Sequence, residues 1–262
     1  MTYNVRRPGK ARRMSLWRLE WLRLTRTPRA LTLAAVFMLF GLLEPALTRY
    51  QSQILGHVGN GVRITFPPAT PAQGISSYAS ELSGIGLIVV VVMAAGAFSF
   101  DAHQGLATFL RTRVPSVWQL VAPRFAVWAA AAALAYLLGT LAAWFETGLL
   151  IGAPAAAGLL AGILCGAAYL AFAVAVTALA ASVVRNTLAT VGIALALLLL
   201  LPTAGAYHPV DAWLPTTLAS APADLASRSH QLSHYLPTFA VTVAASAAAL
   251  AVAVARLRAR EI

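Results

Sequence analysis

Asp101-Ala102-His103-Gln104-Gly105-Leu106-Ala107-Thr108-Phe109-Leu110-Arg111-Thr112-Arg113-Val114-Pro115 is a polar interruption between two long apolar runs, and its own pattern is helical. Asp101 followed by Gln104 makes a capping box, and Pro115 stops the pattern. At about 100° per residue, Ala102, Leu106, Ala107, Phe109, Leu110 and Val114 share one face, while Gln104, Thr108, Arg111 and Thr112 fill the other. Arg111 and Arg113 fall in the last turn, where the negative end of the helix dipole favours cations. A short amphipathic helix between two membrane spans must bury its stripe against lipid headgroups or against another protein.

The chain around this stretch is 60% hydrophobic and only 10% charged over 262 residues, with a mean hydropathy of +0.76. That composition reads as a polytopic membrane protein, not a soluble domain. A net charge of +11 raises the question of nucleic acid. The basic residues cluster at the ends of apolar spans and no nucleic-acid motif accompanies them, so membrane topology accounts for them and no nucleic-acid partner is expected. The single cysteine, Cys165, lies in an apolar run, which excludes an intrachain disulfide framework. Lys10 is the only lysine, a bias of genome composition more than of chemistry.

Upstream, residues 1–13 hold Arg6, Arg7, Lys10, Arg12 and Arg13 and read as a disordered basic tail. Over 14–28, Met14, Trp17, Trp21 and Leu24 recur at steps of three and four with Arg18, Arg23 and Arg26 between them. This predicts an interfacial elbow helix on an anionic leaflet, its indole rings at headgroup level, ended by Pro28. Residues 29–262 then form a transmembrane domain with spans near 30–47, 82–100, 123–145, 155–181, 187–203 and 237–255. The first span lacks a small-residue cleavage site, which argues against a signal peptide. Residues 48–80 are expected to be an outside loop. Residues 204–236, apolar in part through Trp213, Leu214, Leu218, Leu225 and Leu232, are expected to hold short helices re-entering the outer leaflet.

Arginine and lysine orient the spans. The segment to Arg29 carries nine, residues 101–124 three, the turn at Arg185 one and the tail from Arg256 three, against Arg49, Arg63 and Arg228 in the alternate loops. The asymmetry places both termini and the 101–115 helix in the cytoplasm.

This arrangement resembles the permease subunit of an ABC-2 type exporter. Phe37-Met38-Leu39-Phe40-Gly41-Leu42-Leu43-Glu44-Pro45 with Tyr50 is similar to the end of that family's first span. Asp101-Ala102-His103-Gln104-Gly105 looks like the acidic, glycine-containing start of its coupling helix. Arg113-Val114-Pro115-Ser116 stands near the family's Lys-Pro-Val-Ser, Arg124 near its usual lysine, and Arg258-Ala259-Arg260-Glu261 near its basic, acid-ended tail. Two departures stand out: His103 replaces a common second acid, and the proline comes one residue late.

The resemblance implies the all-α ABC-2 exporter fold in a bacterial cell membrane, with six transmembrane helices, the interfacial helix and a cytoplasmic coupling helix. It also implies a separate ABC ATPase subunit, which would bind ATP and magnesium, and a dimer with a second copy or with a related permease around a substrate path. Asp101, Gly105, Leu106, Phe109, Leu110 and Arg113 become the expected docking residues. A path with almost no buried charge suits hydrophobic or amphipathic cargo: a lipid, a drug-like compound or a peptide.

Leu82-Ser83-Gly84 resembles the core of the ABC ATPase signature, but no phosphate loop occurs, since Gly9-Lys10 continues with Ala11. The chain is therefore expected to hold no cofactor and to hydrolyse no ATP itself. Gly158, Gly162 and Gly166 form a small-residue ladder, read as packing within one subunit ahead of a dimer seam. Glu44 and Glu146 are the acids nearest the lipid region and the candidates for a substrate or gate role, against solvated positions at span ends. His208, Asp211, His230 and His234 use metal-binding residue types, but without a close set of three ligands they read as solvated loop residues, and no metal is expected. Two other classes stay open. An intramembrane enzyme would need a nucleophile and base facing each other within the spans, and an ion-coupled secondary transporter would need internal repeats and midplane charges; neither pattern is visible.

Overall fold

The computed structural model describes residues 16–56, 68–98, 117–154, 156, 158–206, 213–227 and 229–259, and among them every regular element is helical. A short helix, α1 (Leu16–Arg26), breaks at Thr27-Pro28 and leads into α2 (Arg29–Gly56). Next come α3 (Pro71–Glu81), a π-helical turn (Leu82–Gly86) and α4 (Leu87–Phe98), which run on as one rod. Then follow α5 (Val117–Leu150), α6 (Leu159–Val183) and α7 (Thr187–Leu200), the last tightening into a 3-10 turn (Leu201–Ala206). A second 3-10 turn (Pro215–Ala219), α8 (Ala221–Ala226) and α9 (Leu232–Ala259) complete the described chain.

Six helices are long and apolar enough to cross a membrane: Arg29–Ile54, Pro71–Phe98, Val117–Leu150, Leu159–Val183, Thr187–Gly205 and Leu232–Ala259. The chain is thus built as an all-helical, multi-pass membrane protein. The order and number of the spans agree with the hydropathy reading, and the ends do not. α5 has 34 residues, about 51 Å at ~1.5 Å per residue, so it stands well clear of a hydrocarbon layer of ~30 Å. Hydropathy marks only the greasy middle of such a rod.

The largest difference lies in 48–80, expected as a loop. α2 instead continues to Gly56, and α3 begins at Pro71. Thr70 caps α3: its hydroxyl accepts from the Gln73 amide at 3.4 Å, while the Gln73 side chain accepts from the Thr70 amide at 2.9 Å. Pro71 supplies the fixed φ favoured at the first helical position. The polar extensions of α2 and α3 meet through Thr48 and Ser77, whose hydroxyl oxygens lie 2.9 Å apart. At the other end of the chain, α9 starts at Leu232, ahead of Pro237.

α6 is the hub, packed against α4, α5, α7, α8 and α9. In its most apolar window 67% of the residues are buried, against 22% for α2 and 17% for α7. Its glycine ladder serves this chain's own packing. A Cβ on Gly158 would lie 2.7 Å from the Leu225 carbonyl, one on Gly162 2.6 Å from Pro222 Cα, and one on Gly166 2.6 Å from the Tyr136 hydroxyl. A closer crossing joins α2 to α5, where Gly41 abuts the Gly139 carbonyl and a Cβ on Gly139 would fall 2.6 Å from the Phe37 carbonyl oxygen. Small residues allow such approaches where lipid offers no hydrophobic drive for helix association. In the 204–236 segment, the two short elements cap the bundle over α6, with Leu214, Leu218 and Leu225 buried and Trp213 exposed.

Candidate functional site

The docking residues expected from the sequence, Asp101, Gly105, Leu106, Phe109, Leu110 and Arg113, lie outside the described residues. Arg124, in the second turn of α5, is buried, and its guanidinium holds two elements at once. Nε donates to Glu20 Oε1 on α1 at 2.9 Å, and Nη1 donates to the Ala97 carbonyl in the last described turn of α4 at 3.0 Å. Arg23 reaches the same carboxylate oxygen from solvent at 3.4 Å. α1 is therefore more than a helix resting on a surface. Glu20 and Leu24 face α5, while Trp17 and Trp21 on the neighbouring side remain exposed. The sequence reading took Met14, Trp17, Trp21 and Leu24 as one lipid-facing stripe. In the structure the boundary between bundle and exterior runs through that stripe, because Leu24 points inward with Glu20; Met14 lies outside the described residues.

No family model, curated protein or solved structure matches the chain.

Nearer the other end of the bundle, Glu44 is half-buried on α2 and Glu146 half-buried on α5. No hydrogen bond or ion pair joins them among the described residues. The charge within electrostatic reach of Glu44 is Glu81, at the end of α3. The antiparallel crossing explains this: Thr48 meets Ser77, and one turn deeper on each helix come Glu44 and Glu81. Glu81 also lines a narrow crevice, with room for about one water molecule, together with Val36, Phe37, Phe40, Tyr78, Leu82 and Gly86. The π-helical turn opens directly after Glu81 and forms one wall. Such wide turns carry an extra residue per turn and recur at functional sites. Sequence reasoning passes over Glu81 because it stands at the boundary between the expected 48–80 loop and the second span, and passes over Glu20 because arginines surround it. A lone acid in a basic amphipathic helix was the signal available.

Behind the crevice a polar column climbs α5. Tyr78 and Tyr136 stack with ring centroids 6.1 Å apart, Phe37 meets Tyr136 edge-on, and the Tyr78 hydroxyl donates weakly to the Tyr136 carbonyl at 3.4 Å. Thr140 returns its hydroxyl to the same carbonyl at 2.8 Å. Among the described residues, the Tyr136 hydroxyl, Trp144 Nε1 and Thr147 hydroxyl are buried without a hydrogen-bond partner.

His230 and His234 stack with centroids 4.7 Å apart, and the Tyr235 hydroxyl donates to Asp224 at 2.6 Å. Among the described residues no group of three His, Cys, Asp or Glu could hold a metal ion. His208 and Asp211 lie outside them.

Proposed function

We propose that the chain is the membrane-spanning permease subunit of an ATP-driven exporter of the ABC-2 type, which engages a separate ATP-binding subunit through residues 101–115. The observation that carries this reading is a sequence stretch with a capping signal and an amphipathic period, set between two helices long and apolar enough to cross a membrane and flanked by arginines. Its apolar face needs a partner, and the absence of a phosphate loop means ATP chemistry would have to come from another chain. The same charge asymmetry puts both termini in the cytoplasm. The cargo consistent with the bundle is hydrophobic or amphipathic.

Copurification from the native membrane tests the central claim. An ATPase should accompany the chain as two copies of each subunit, and the chain alone should hydrolyse no ATP. Hydrolysis by the isolated chain, or its purification at full yield with no nucleotide-binding partner, overturns the proposal. Mass spectrometry of molecules retained in that complex would identify the cargo.

Orientation has its own test. In a Cys165→Ser background, single cysteines replacing Ser77 and Ser229 should react in intact cells with a membrane-impermeant thiol reagent, and one replacing Ser116 should not. Ser77 is well placed for this, since it lies on the polar extension of α3. Labelling at position 116 from outside would reverse the topology and remove the cytoplasmic helix on which docking depends.

A further inference from the structure

We propose that Glu20 is a positioning residue: through Arg124 it sets where the adjoining ends of α4 and α5 sit, and it ties α1 to them as one body. Glu20 is the only acid in Leu16–Arg26, and it is buried beside α5 while the arginines at positions 23 and 26 stay exposed. A helix that only rests on an anionic leaflet has no use for a buried carboxylate, and burying one carries a desolvation cost. An apolar pair in the same place would hold α1 to α5 about as firmly. What the ion pair adds is direction. The guanidinium is a rigid plane, so fixing Nε on Glu20 aims Nη1, and Nη1 rests on the Ala97 carbonyl. Three elements far apart in sequence are thereby locked in one relative orientation. Arg29 lies close by, its Nη1 at 4.0 Å from where a Cβ on Gly96 would stand. Displacing α1 therefore moves the ends of the rods that flank residues 99–116. The functional consequence rests on the docking reading above; the locked geometry does not.

The test uses the full chain in lipid nanodiscs, in a Cys165→Ser background, with spin labels at cysteines replacing the exposed residues Thr25 on α1 and Val92 on α4. The parent should give one narrow distance. Glu20→Ala should broaden it, but that variant strands a buried cation and could misfold. The deciding variant is Glu20→Leu with Arg124→Met, which buries no charge and should unfold thermally like the parent. It should nonetheless broaden the distance, because the guanidinium that donates to Ala97 is gone. In the copurified complex its ATP hydrolysis, assayed with ATP and magnesium alone, should fall about tenfold, equivalent to ~1.4 kcal/mol. A narrow, parental distance in this double variant overturns the inference, even if a Phe109→Ala/Leu110→Ala chain loses its ATPase and docking stands. A broad distance alongside unchanged ATPase binding by the Phe109→Ala/Leu110→Ala chain supports the positioning role and removes the docking reading instead.

Discussion

Phe109→Ala combined with Leu110→Ala is expected to leave the chain in the membrane at near-normal abundance and to strip it of the ATPase subunit proposed above. The two are the largest adjacent apolar side chains at the centre of the 101–115 stripe. Central apolar anchors at protein interfaces often cost ~2 kcal/mol or more when truncated, whereas rim charges cost little. A loss of that size weakens association by roughly thirtyfold. Arg111→Ala should therefore bind like the parent. Both residues lie between the second and third spans of the hydropathy reading, so insertion should not suffer. Pull-down of the ATPase at matched expression measures the effect. Undiminished recruitment by the double variant would mean that the stripe rests on lipid.

Gly139→Ala should disable the protein by another route. The new Cβ would press on the Tyr78 hydroxyl and lie 2.6 Å from the Phe37 carbonyl oxygen and 2.9 Å from its carbon. Two of those atoms are backbone on α2, and Tyr78 is fully buried and stacked on Tyr136, so nothing can give locally. Overpacking a well-filled site costs ~1–3 kcal/mol or more, and separating α2 from α5 would disrupt the most extensive helix contact among the described residues. Gly148 on the same helix has open space around its missing Cβ, so Gly148→Ala should be neutral or gain up to ~1 kcal/mol from helix propensity. Thermal stability in detergent and steady-state abundance should separate the two variants clearly. Equal values would refute the tight crossing.

The contrast shows what a sequence of this kind discloses. Hydropathy finds six spans because each must present a greasy middle to lipid, and charge bias supplies the orientation proposed for them. The ladder at Gly158, Gly162 and Gly166 was visible because its members are spaced on one helix face. Gly41 and Gly139 were not, because each is a lone glycine and their meeting depends on how two distant helices cross. The extension of α2 and the start of α3 were hidden for another reason: outside the hydrocarbon a helix loses its apolar signature. Thr70 and Gln73 did carry a capping signal there, of the same form as Asp101 and Gln104. The buried pair of Glu20 and Arg124 was legible only as two unrelated charges, and Glu44 was read without Glu81, its neighbour across the helix crossing.

The central place of α6 bears on how the protein is made. Among its partners α4 and α5 precede it in the chain, but α8 and α9 follow it. The side of α6 that packs against α9 stays uncovered until a helix starting at Leu232 has been synthesised and inserted. During that interval the bundle holds its first helices in place without a closed core, and Thr177 and Ser182, both buried in the finished protein, stand in a helix that is only partly enclosed. Assembly is thus weighted toward the end of translation. Chains interrupted between α7 and α9 should be the ones that membrane proteases clear fastest, since local helix formation is complete in them and long-range packing is not.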